Sequence, residues 1–454
     1  MVMAMAPSVF TREKVILLSF LTGGHFITHV LLVAYPVIAV LVGEQLGFTS
    51  RTEILSLITF TGVIYGTGAL FTGYLADRYD PLAMITLGLI FSTVSSFGIA
   101  LSFNYWMMVL FFALLGVGLS FYHPAGLSYI SKIFGPKNRG KALGLNGVGG
   151  DLGLVVSPVV TVAIAQGLGW RTAYMTWGVV GLVLVVFALF LFGSRVLRPA
   201  RNGAPRVGDE GGEGEGGEAP GGGRPRLQGR LDMTSMEVVE EVGPTSKKAY
   251  WAGMRVLLTA SVMIVLTITI FRGLLFHGVL EPLPTFLKQE KGLTVLDAGV
   301  LISIMYILGA IGEPIGGWVK DRSGARNPLI VFSLVCSGAV ALLVVSSNPY
   351  LIISAMMLFG FAMFMMMSVV NTLVADVTPP EVRATFYGVS FFTRDGIGFL
   401  APLMVGAIAD ASGTFITAYW VIAIFGVLTA LVSVAVERPR FGYKESVTPA
   451  RGAR

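Results

Sequence analysis

The chain has 454 residues, of which 54% are hydrophobic and only 13% are charged, and its mean hydropathy is +0.77. Because soluble domains carry about 25% charged residues, this composition excludes an ordinary water-soluble core. The single cysteine, Cys336, excludes an intramolecular disulfide. No cleaved signal peptide is expected, because the leader Met1 to Lys14 is short and the apolar run after it is too long.

Long apolar runs predict twelve membrane-spanning helices. A segment that faces lipid must satisfy its backbone hydrogen bonds internally, which favours helices. Strands of a membrane barrel would be about half as long and would alternate in polarity. The predicted spans are 14–43, 52–75, 82–102, 105–133, 139–167 and 170–193, followed by 253–288, 294–319, 327–346, 349–376, 382–411 and 415–436. We therefore predict an all-α membrane protein with two six-helix bundles, residues 1–193 and 251–454, the second ending in a short tail.

The two bundles are copies of one unit. Nine pairs of identical residues are separated by the same 244 positions, in a register that includes Asp, Arg and Pro as well as Gly. The pairs are Gly73 and Gly317, Asp77 and Asp321, Arg78 and Arg322, Gly116 and Gly360, Pro136 and Pro380, Arg139 and Arg383, Gly144 and Gly388, Asp151 and Asp395, and Pro158 and Pro402. The sequence thus predicts two pseudo-symmetric halves.

The segment 194–250 joins the halves. Residues 208–218 read Gly-Asp-Glu-Gly-Gly-Glu-Gly-Glu-Gly-Gly-Glu, a composition that cannot bury enough apolar surface to fold. We predict a disordered cytoplasmic linker.

The positions of the basic residues predict the orientation. With both termini and the linker in the cytoplasm, 26 of the 32 Lys and Arg residues lie inside, as membrane proteins prefer. Four lie outside, Arg51, Arg171, Lys288 and Lys291, and two fall within spans, Arg272 and Arg394. The net charge of +6 is therefore explained by the basic residues of the cytoplasmic segments, with a minor role for contact with anionic lipid. It does not indicate nucleic-acid binding. We expect a multi-pass protein of the plasma (inner) membrane with both termini cytoplasmic.

Twelve spans in a six-plus-six repeat, with a long central loop, resemble the major facilitator superfamily. The turn Gly73-Tyr-Leu-Ala-Asp77-Arg78 resembles that family's signature between helices 2 and 3, with Asp80 at its second glycine and Pro81 at its first basic position. The resemblance implies a monomer that alternates between two states, with this turn holding the cytoplasmic side closed in one of them. The residues it implies for this gate are Gly73, Asp77, Arg78 and Arg139, and their repeats Gly317, Asp321, Arg322 and Arg383.

Two further patterns narrow the resemblance. Gly144, Gly153 and Pro158 partly match a signature of antiporters, although small residues also let membrane helices pack closely. The family's drug/proton antiporters carry an Arg where Phe112 stands, which argues against a proton relay of that type. The stretches His25-Phe26-x2-His29-x6-Pro36, Phe121-Tyr122-His123-Pro124-Ala-Gly126 and Gly149-Gly150-Asp151-Leu-Gly153 resemble the fosmidomycin-resistance-like branch, which usually has an acid where His29 stands.

All four histidines fall in predicted helices: His25, His29, His123 and His277. His25 and His29 are four residues apart and share a helix face, as do His277 and Glu281. The spacing His29-x6-Pro36 recurs as His277-x6-Pro284, which predicts similar depths in the two halves. Because histidine titrates near neutral pH, the functional interpretation is a protonatable cluster at a central cavity. The alternative is neutral imidazoles that hydrogen-bond between helices.

Charged side chains at membrane depth are costly and are functional candidates by default. The acids are Asp151, Glu281, Glu313 and Asp395, and the bases are Arg272 and Arg394. Glu281 and Glu313 each precede a proline, where we expect the helix to be interrupted. Each arginine either neutralises a buried carboxylate or binds the anionic part of a substrate. Arg394 and Asp395 need not pair, since neighbours on a helix point about 100° apart.

Other chemistries are disfavoured. The adjacent methionines Met363, Met365, Met366 and Met367 face all sides of a helix and indicate a packing surface rather than a metal pathway. No nucleotide-binding loop of the Gly-x4-Gly-Lys-Ser/Thr type occurs, which disfavours ATP-driven transport. No soluble domain is present to host an enzyme, and we expect neither a cofactor nor a metal site.

We predict a secondary transporter that moves a small organic anion, coupled to protons, by rocking its halves around a central site. The predicted substrate-binding residues are Arg272, Arg394, His25, His123 and Tyr122. The predicted proton-coupling residues are His29, His277, Glu281, Glu313, Asp151 and Asp395. The alternatives are an exporter of neutral or cationic hydrophobic compounds, a transport-inactive sensor or scaffold, and a metal uptake carrier. Export is slightly favoured by the resemblance.

Overall fold

The computed structural model describes residues 11–76, 79–197, 259–378 and 383–436. The secondary-structure elements formed by these residues are all helices. Twelve helical segments among them are long and apolar enough to cross a membrane. Their ends fall close to those of the predicted spans, with one exception in the second half. Most of the predicted linker and the C-terminal tail lie outside the described residues.

The part of the first half that the structure describes forms six helices. They are α1 (Arg12–Leu46), α2 (Arg51–Ala76), α3 (Pro81–Leu101), α4 (Tyr105–Ser120), α5 (Tyr122–Leu168) and α6 (Trp170–Leu197). Asp80 caps α3, since its Oδ1 accepts from the backbone N–H of Leu82 at 2.9 Å and Pro81 occupies the first position of the helix. Asp followed by Pro is a favoured start of a helix. Asp80, which stands where the family signature has its second glycine, therefore serves as the N-cap of α3.

Helix α5 contains two spans and reverses between them. The fourth candidate span, Tyr105–Phe134, combines α4 with the start of α5, and the fifth is Asn138–Leu168. Tyr122 Oη donates to Oδ1 of Asn146 at 2.7 Å. A straight helix would separate residues this far apart by about 36 Å, so the chain must turn back near residues 135–137. This reversal places the fourth and fifth spans side by side.

The described residues of the second half form eight α-helices and one π-helix. They are α7 (Ala260–Leu280), α8 (Leu283–Lys291), α9 (Val295–Ser323), α10 (Arg326–Val345), α11 (Pro349–Val377), α12 (Arg383–Phe391), the π-helix Phe392–Gly396, α13 (Leu400–Ser412) and α14 (Phe415–Ser433). The predicted seventh span, 253–288, therefore includes both α7 and most of α8, because the first helix stops at Leu280.

Of the two interruptions expected at Glu-Pro pairs, one is present and one is not. The seventh span breaks at Glu281–Pro282, as predicted. The expectation for Glu313 is wrong, because α9 continues through Pro314. Gly312 and Gly316 bring α9 against the backbone of α11 on both sides of that proline, and such packing lets a membrane helix tolerate a missing N–H.

The repeat is visible in the packing of equivalent helices. A Cβ on Gly116 of α4 would lie 2.5 Å from the carbonyl oxygen of Thr61 in α2, and one on Gly360 of α11 would lie 2.9 Å from that of Met305 in α9. The two glycines and the two carbonyls are each 244 positions apart. Small residues therefore make the same close helix crossing in both halves.

The halves meet mainly along α2, which packs against α12, the π-helix and α13. A Cβ on Gly66 would overlap the backbone of Gly396, and one on Gly62 would overlap the ring of Phe399. Along α5, Gly299 of α9 approaches Pro158, whereas no described atom lies within 4 Å of a Cβ added to Gly144 or Gly147.

Candidate functional site

Two helix breaks in the second half form the centre of the candidate site. Residues 281–282 separate α7 from α8, and the π-helix Phe392–Gly396 separates α12 from α13. Pro282 has no N–H to continue the first helix, and π-turns inside helices are frequent at functional sites. Glu281 lies at one break and Arg394 and Asp395 lie at the other.

Arg394 and Asp395 form an ion pair although they are neighbours in the chain. Nε of Arg394 donates to Oδ1 of Asp395 at 2.7 Å, and Nη2 donates to Oδ2. The guanidinium also lies over the ring of Phe391, 4.1 Å from its centroid. The sequence analysis did not predict this pairing, because neighbouring side chains on an α-helix point in different directions. The wider turn of the π-helix brings the two side chains together, so Arg394 already has a partner.

His277 connects two carboxyl groups. Its Nδ1 lies 3.3 Å from Oε1 of Glu281, on the same helix face as predicted, and its Nε2 lies 3.3 Å from Oδ1 of Asp395. The ring stacks on Phe399 with centroids 3.7 Å apart. A neutral imidazole has only one N–H donor. Both contacts can be hydrogen bonds only when an additional proton is present on the imidazole or on one carboxyl group.

Arg272 is buried without a hydrogen bond at two of its nitrogens. Its side chain is on α7, the residue is 1% exposed, and neither Nε nor Nη2 has a hydrogen-bond partner among the described residues. Glu313 and Asp395 act on it electrostatically, and Arg394 repels it. Burying a charge is costly unless it is both paired and hydrogen-bonded. The structure therefore leaves donors of Arg272 available for an anion.

Asp151 on α5 and Glu313 on α9 approach the same region from the two halves. They interact electrostatically with each other, and Glu313 also interacts with both Arg272 and Arg394. Both acids are partly buried. Asp151 occupies the repeat position of Asp395, but Gly150 stands at the position of Arg394. The two aspartates therefore occupy equivalent positions in the sequence repeat but have different neighbours.

Three of the predicted residues form a compact group in the first half. His25 and His29 of α1 and His123 of α5 each have one ring nitrogen within 4.8 Å of a ring nitrogen of the other two. The ring centroids are 4.6 Å apart for His25 and His29, 5.0 Å for His25 and His123, and 5.4 Å for His29 and His123. We call these three residues the histidine triad. His277 belongs to the other half and to a different set of contacts.

A polar contact network positions the first member of the triad. Nδ1 of His25 lies 2.8 Å from the backbone carbonyl oxygen of Asn146, and the ring stacks on Tyr122 with centroids 5.0 Å apart. Tyr122 Oη in turn contacts the carbonyl oxygen of Leu21 at 2.5 Å and Oδ1 of Asn146. Tyr122, which was predicted to bind substrate, therefore packs against the ring of His25 and holds it in position. Asn146 was missed by the sequence analysis.

The triad adjoins the charged cluster across the boundary between the halves. The ring of His123 lies 5.4 Å from that of Phe391 and 6.1 Å from that of Tyr65, centroid to centroid. Arg394 and Asp395 interact electrostatically with both His29 and His123. The structure thus brings most of the predicted site residues into one central region, where each half supplies different chemistry.

Ionic contacts join the halves at one end of the molecule, which we call the Arg51 end. Carboxylate oxygens of Asp410 accept from the backbone N–H groups of Arg51 and Thr52, each at 2.9 Å, and from the Thr52 hydroxyl at 2.6 Å. The Arg51 side chain donates to Gln289 Oε1 and to two carbonyl oxygens of the second half. Lys288 pairs with Glu44 at 2.7 Å.

The predicted gate residues at the opposite end are only partly described. Asp77 and Arg78 lie outside the described residues, as does the side chain of Arg383. Gly73 of α2 lies near Pro124, Gly317 of α9 lies near Ser368, and Arg139 is on α5. Asp321 is largely exposed, and Arg322 lies over Trp318. The short ion pair in this motif is instead made by Lys320, 2.7 Å from Asp376.

Sequence reasoning missed the cross-half contacts at the Arg51 end and the Lys320–Asp376 pair. The charged residues of these contacts lie near predicted span ends, where charged residues are common and carry no distinctive pattern; they are Glu44, Arg51, Lys288, Lys320, Asp376 and Asp410. A partial signal existed for Glu44 and Lys288, which are separated by the repeat distance of 244 positions.

The sequence model of the Major Facilitator Superfamily matches residues 17–402, most of the chain. The chain belongs to this superfamily. The resemblance read from the motifs is thereby confirmed, together with the fold class. Members of the family are transporters, so the chain is a multi-pass membrane transporter of small organic solutes and not an enzyme. The branch suggested by the histidine stretches stays a prediction.

Curated relatives and solved structures agree with this assignment. The chain is 25% identical over 418 residues to the "Probable L-galactonate transporter" of Escherichia coli (strain K12), covering 86% of this chain and 82% of that protein. It is 21% identical to the "Hexuronate transporter" of Bacillus subtilis (strain 168), covering 96% and 97%. The crystal structure of a bacterial homologue of the human lysosomal transporter Spinster, inward-facing and occupied, shares the fold, with a TM-score of 0.69, 15% identity and coverage of 95% and 98%.

Proposed function

We propose that this transporter carries a small organic anion with a carboxylate group, and that Arg272 binds the carboxylate. The supporting observation is the buried guanidinium of Arg272, whose Nε and Nη2 have no hydrogen-bond partner among the described residues. A guanidinium can donate two parallel hydrogen bonds to one carboxylate. The two relatives above are named for galactonate and hexuronate, which are carboxylates, and this supports the same substrate class.

Proton coupling is proposed for the group formed by Arg394, Asp395, His277 and Glu281. While Asp395 is ionised, its charge neutralises Arg394. A proton on Asp395 removes that charge and frees the Arg394 guanidinium to join Arg272 at the substrate. Proton and anion then bind together, which corresponds to cotransport in one direction. Other groups interact electrostatically with these four: Arg272, Glu313, Tyr65, His29 and His123.

Alternating access is proposed to use the two ends of the molecule in turn. Ionic contacts close the Arg51 end, which the distribution of basic residues assigns to the outside. At the other end, no described atom lies within 4 Å of a Cβ added to Gly144 or Gly147 of α5, which supports an opening there. Rocking of the halves about the close contact of Gly66 with Gly396 would exchange these arrangements. The gate residues predicted from the motif, including Asp77 and Arg78, would then close the inner end.

The competing function is export of neutral or cationic compounds, with both arginines serving only as ion-pair partners. The pairing of Arg394 with Asp395 fits either function. Arg272 is the residue for which the two functions differ, because a structural arginine would be expected to have its donors satisfied. The unpartnered nitrogens therefore favour the anion carrier.

The test uses purified protein in liposomes that contain a pH-sensitive dye. Sugar acids are added outside and compared with the corresponding neutral sugars. We expect proton movement with acids only, and a decrease in kcat/KM of about 30-fold or more in Arg272→Ala, since truncating one partner of a buried charge pair costs about 2–5 kcal/mol. Arg272→Lys should be intermediate, because an ammonium cannot form the paired hydrogen bonds.

Thr28→Val is the matched control, because Thr28 occupies the repeat position of Arg272 and is also buried. It should transport nearly as well as the wild type. Flux of hydrophobic cations, unchanged in Arg272→Ala, would refute the proposal and establish the exporter instead.

A further inference from the structure

We propose that the histidine triad, His25, His29 and His123, forms a binding site for a divalent transition-metal ion such as Zn²⁺. The proposal does not depend on the transported substrate. It rests on the spacing of the three rings, on nitrogens that lack partners, and on the support behind His25. Imidazole nitrogen is a preferred ligand of Zn²⁺, and three histidines with one open position are a known ligand set for it.

The spacing of the rings matches such a centre. A Zn–N distance of about 2.0–2.1 Å places the centre of each ring about 3.2 Å from the ion, so two ring centres at a tetrahedral angle lie about 5.2 Å apart. The observed separations of 4.6, 5.0 and 5.4 Å lie on both sides of this value. The ring nitrogens, within 4.8 Å of one another, need approach by only about 1.5 Å to reach ligand spacing. Small side-chain rotations can provide this.

Three nitrogens of the two α1 histidines are buried and lack hydrogen-bond partners among the described residues. Nε2 of His25 and both ring nitrogens of His29 have no hydrogen bond among the described residues. A buried polar atom without a partner usually costs about 1–3 kcal/mol. Two histidines on one helix turn with three such atoms call for an explanation. A metal ion would satisfy one nitrogen of each ring with a single ligand.

The surroundings of His25 are typical of a metal ligand. Such histidines use their other ring nitrogen to donate to a carbonyl or carboxylate oxygen, which fixes the tautomer and the ring orientation. Nδ1 of His25 has this contact with the carbonyl oxygen of Asn146 at 2.8 Å, which leaves Nε2 for the ion. Gly150 provides room for the ring, because a Cβ there would lie 2.7 Å from Cε1 and 2.8 Å from Nε2.

The charges around the triad permit a cation. Arg394 and Asp395 interact electrostatically with His29 and His123, and their opposite charges are paired with each other. Three neutral imidazoles would leave the ion with its full charge and an open position, which a water molecule or an anion can occupy. Cys336 does not compete for the metal, because it is buried in the second half.

The experiment measures metal binding by the full-length protein, purified in detergent with a histidine-free affinity tag. Zn²⁺ binding is measured by calorimetry, and Co²⁺ is added separately because its visible absorption reports tetrahedral geometry. We expect one ion per chain. His29→Gln and His123→Gln should each weaken binding by more than the roughly 10- to 100-fold that loss of an outer-shell partner costs. Gly150→Ala, which keeps all three histidines but displaces the His25 ring, should weaken it by about 10- to 100-fold.

His277→Gln is the matched control, because it removes the one histidine outside the triad and should leave metal binding unchanged. The thermal midpoint gives a second readout: Zn²⁺ should raise it for wild type and His277→Gln but not for His29→Gln. This comparison also identifies any variant that is misfolded. The proposal is overturned if wild type binds no stoichiometric Zn²⁺ or Co²⁺, or if the two triad variants bind as well as wild type.

Discussion

The two halves share one backbone plan but contribute different chemistry to the central region. The second half supplies a charged group, in which Arg394, Asp395, His277 and Glu281 are connected and Arg272 lies nearby. The first half supplies three imidazoles next to a tyrosine and an asparagine. At the repeat positions of Arg272 and Arg394 the first half has Thr28 and Gly150.

This difference shows what a duplicated fold constrains and what it leaves free. Close helix crossings recur in both halves, as at Gly116 and Gly360, because they determine the bundle. The residues between those crossings can diverge without loss of packing. One half can therefore carry a group of charged residues while the other carries a group of histidines. If the asymmetry matters for function, the same substitution should have different effects at equivalent positions of the two halves.

The largest difference is expected between Asp395→Asn and Asp151→Asn. The first change removes the charge that neutralises Arg394, and breaking a buried ion pair costs about 3–5 kcal/mol. Anion-dependent proton movement should fall by about 100-fold or more, and anion affinity should no longer rise as the pH is lowered. Asp151 has no neighbouring arginine in the chain, so its substitution should change coupling by much less. The measurement is dye-reported proton flux in liposomes at several pH values.

Equal effects of the two substitutions would mean that the aspartates act as a symmetric pair, as the repeat alone suggests. The asymmetry described above would then be without functional consequence. Retention of both proteins in the membrane fraction and unchanged elution on size exclusion would show that either variant is folded.

Sequence reasoning recovered the scaffold well, because span length and apolar composition are local properties of a membrane chain. The sequence also predicted the repeat register, the helix break at Glu281 and the shared helix face of His277 and Glu281. The pairing of Arg394 with Asp395 was not, because it depends on a π-turn. The triad was not recognised as a unit, because His123 reaches α1 only through the reversal of α5.

A smaller effect is expected from a substitution at Gly66, where the two halves touch. This substitution tests whether the histidine triad and the charged group must stay in contact. A Cβ on Gly66 would overlap the backbone of Gly396, beside Asp395, and overpacking of this kind costs about 1–3 kcal/mol. Gly66→Ala should reduce transport by about 5- to 100-fold. Gly147→Ala is the matched control, since nothing lies within 4 Å of its added Cβ. Similar flux in the two variants would contradict a requirement for close approach at Gly66.

The smallest effect is expected at the Arg51 end, where no proposed substrate or proton group takes part. Arg51 is partly exposed, so its contacts with Asp410 and the neighbouring carbonyls contribute about 1 kcal/mol. Arg51→Ala should shift the population by about 5-fold toward a state that is open at this end. Spin labels on cysteines introduced near Glu44 and Lys288 would report the longer distance, after replacement of Cys336. Because such a shift changes only how often each cluster faces each side, substrate selectivity and proton stoichiometry should stay as in the wild type. A change in either property would mean that the closed end is part of the binding site, and that the division of chemistry between the two halves extends beyond the central clusters.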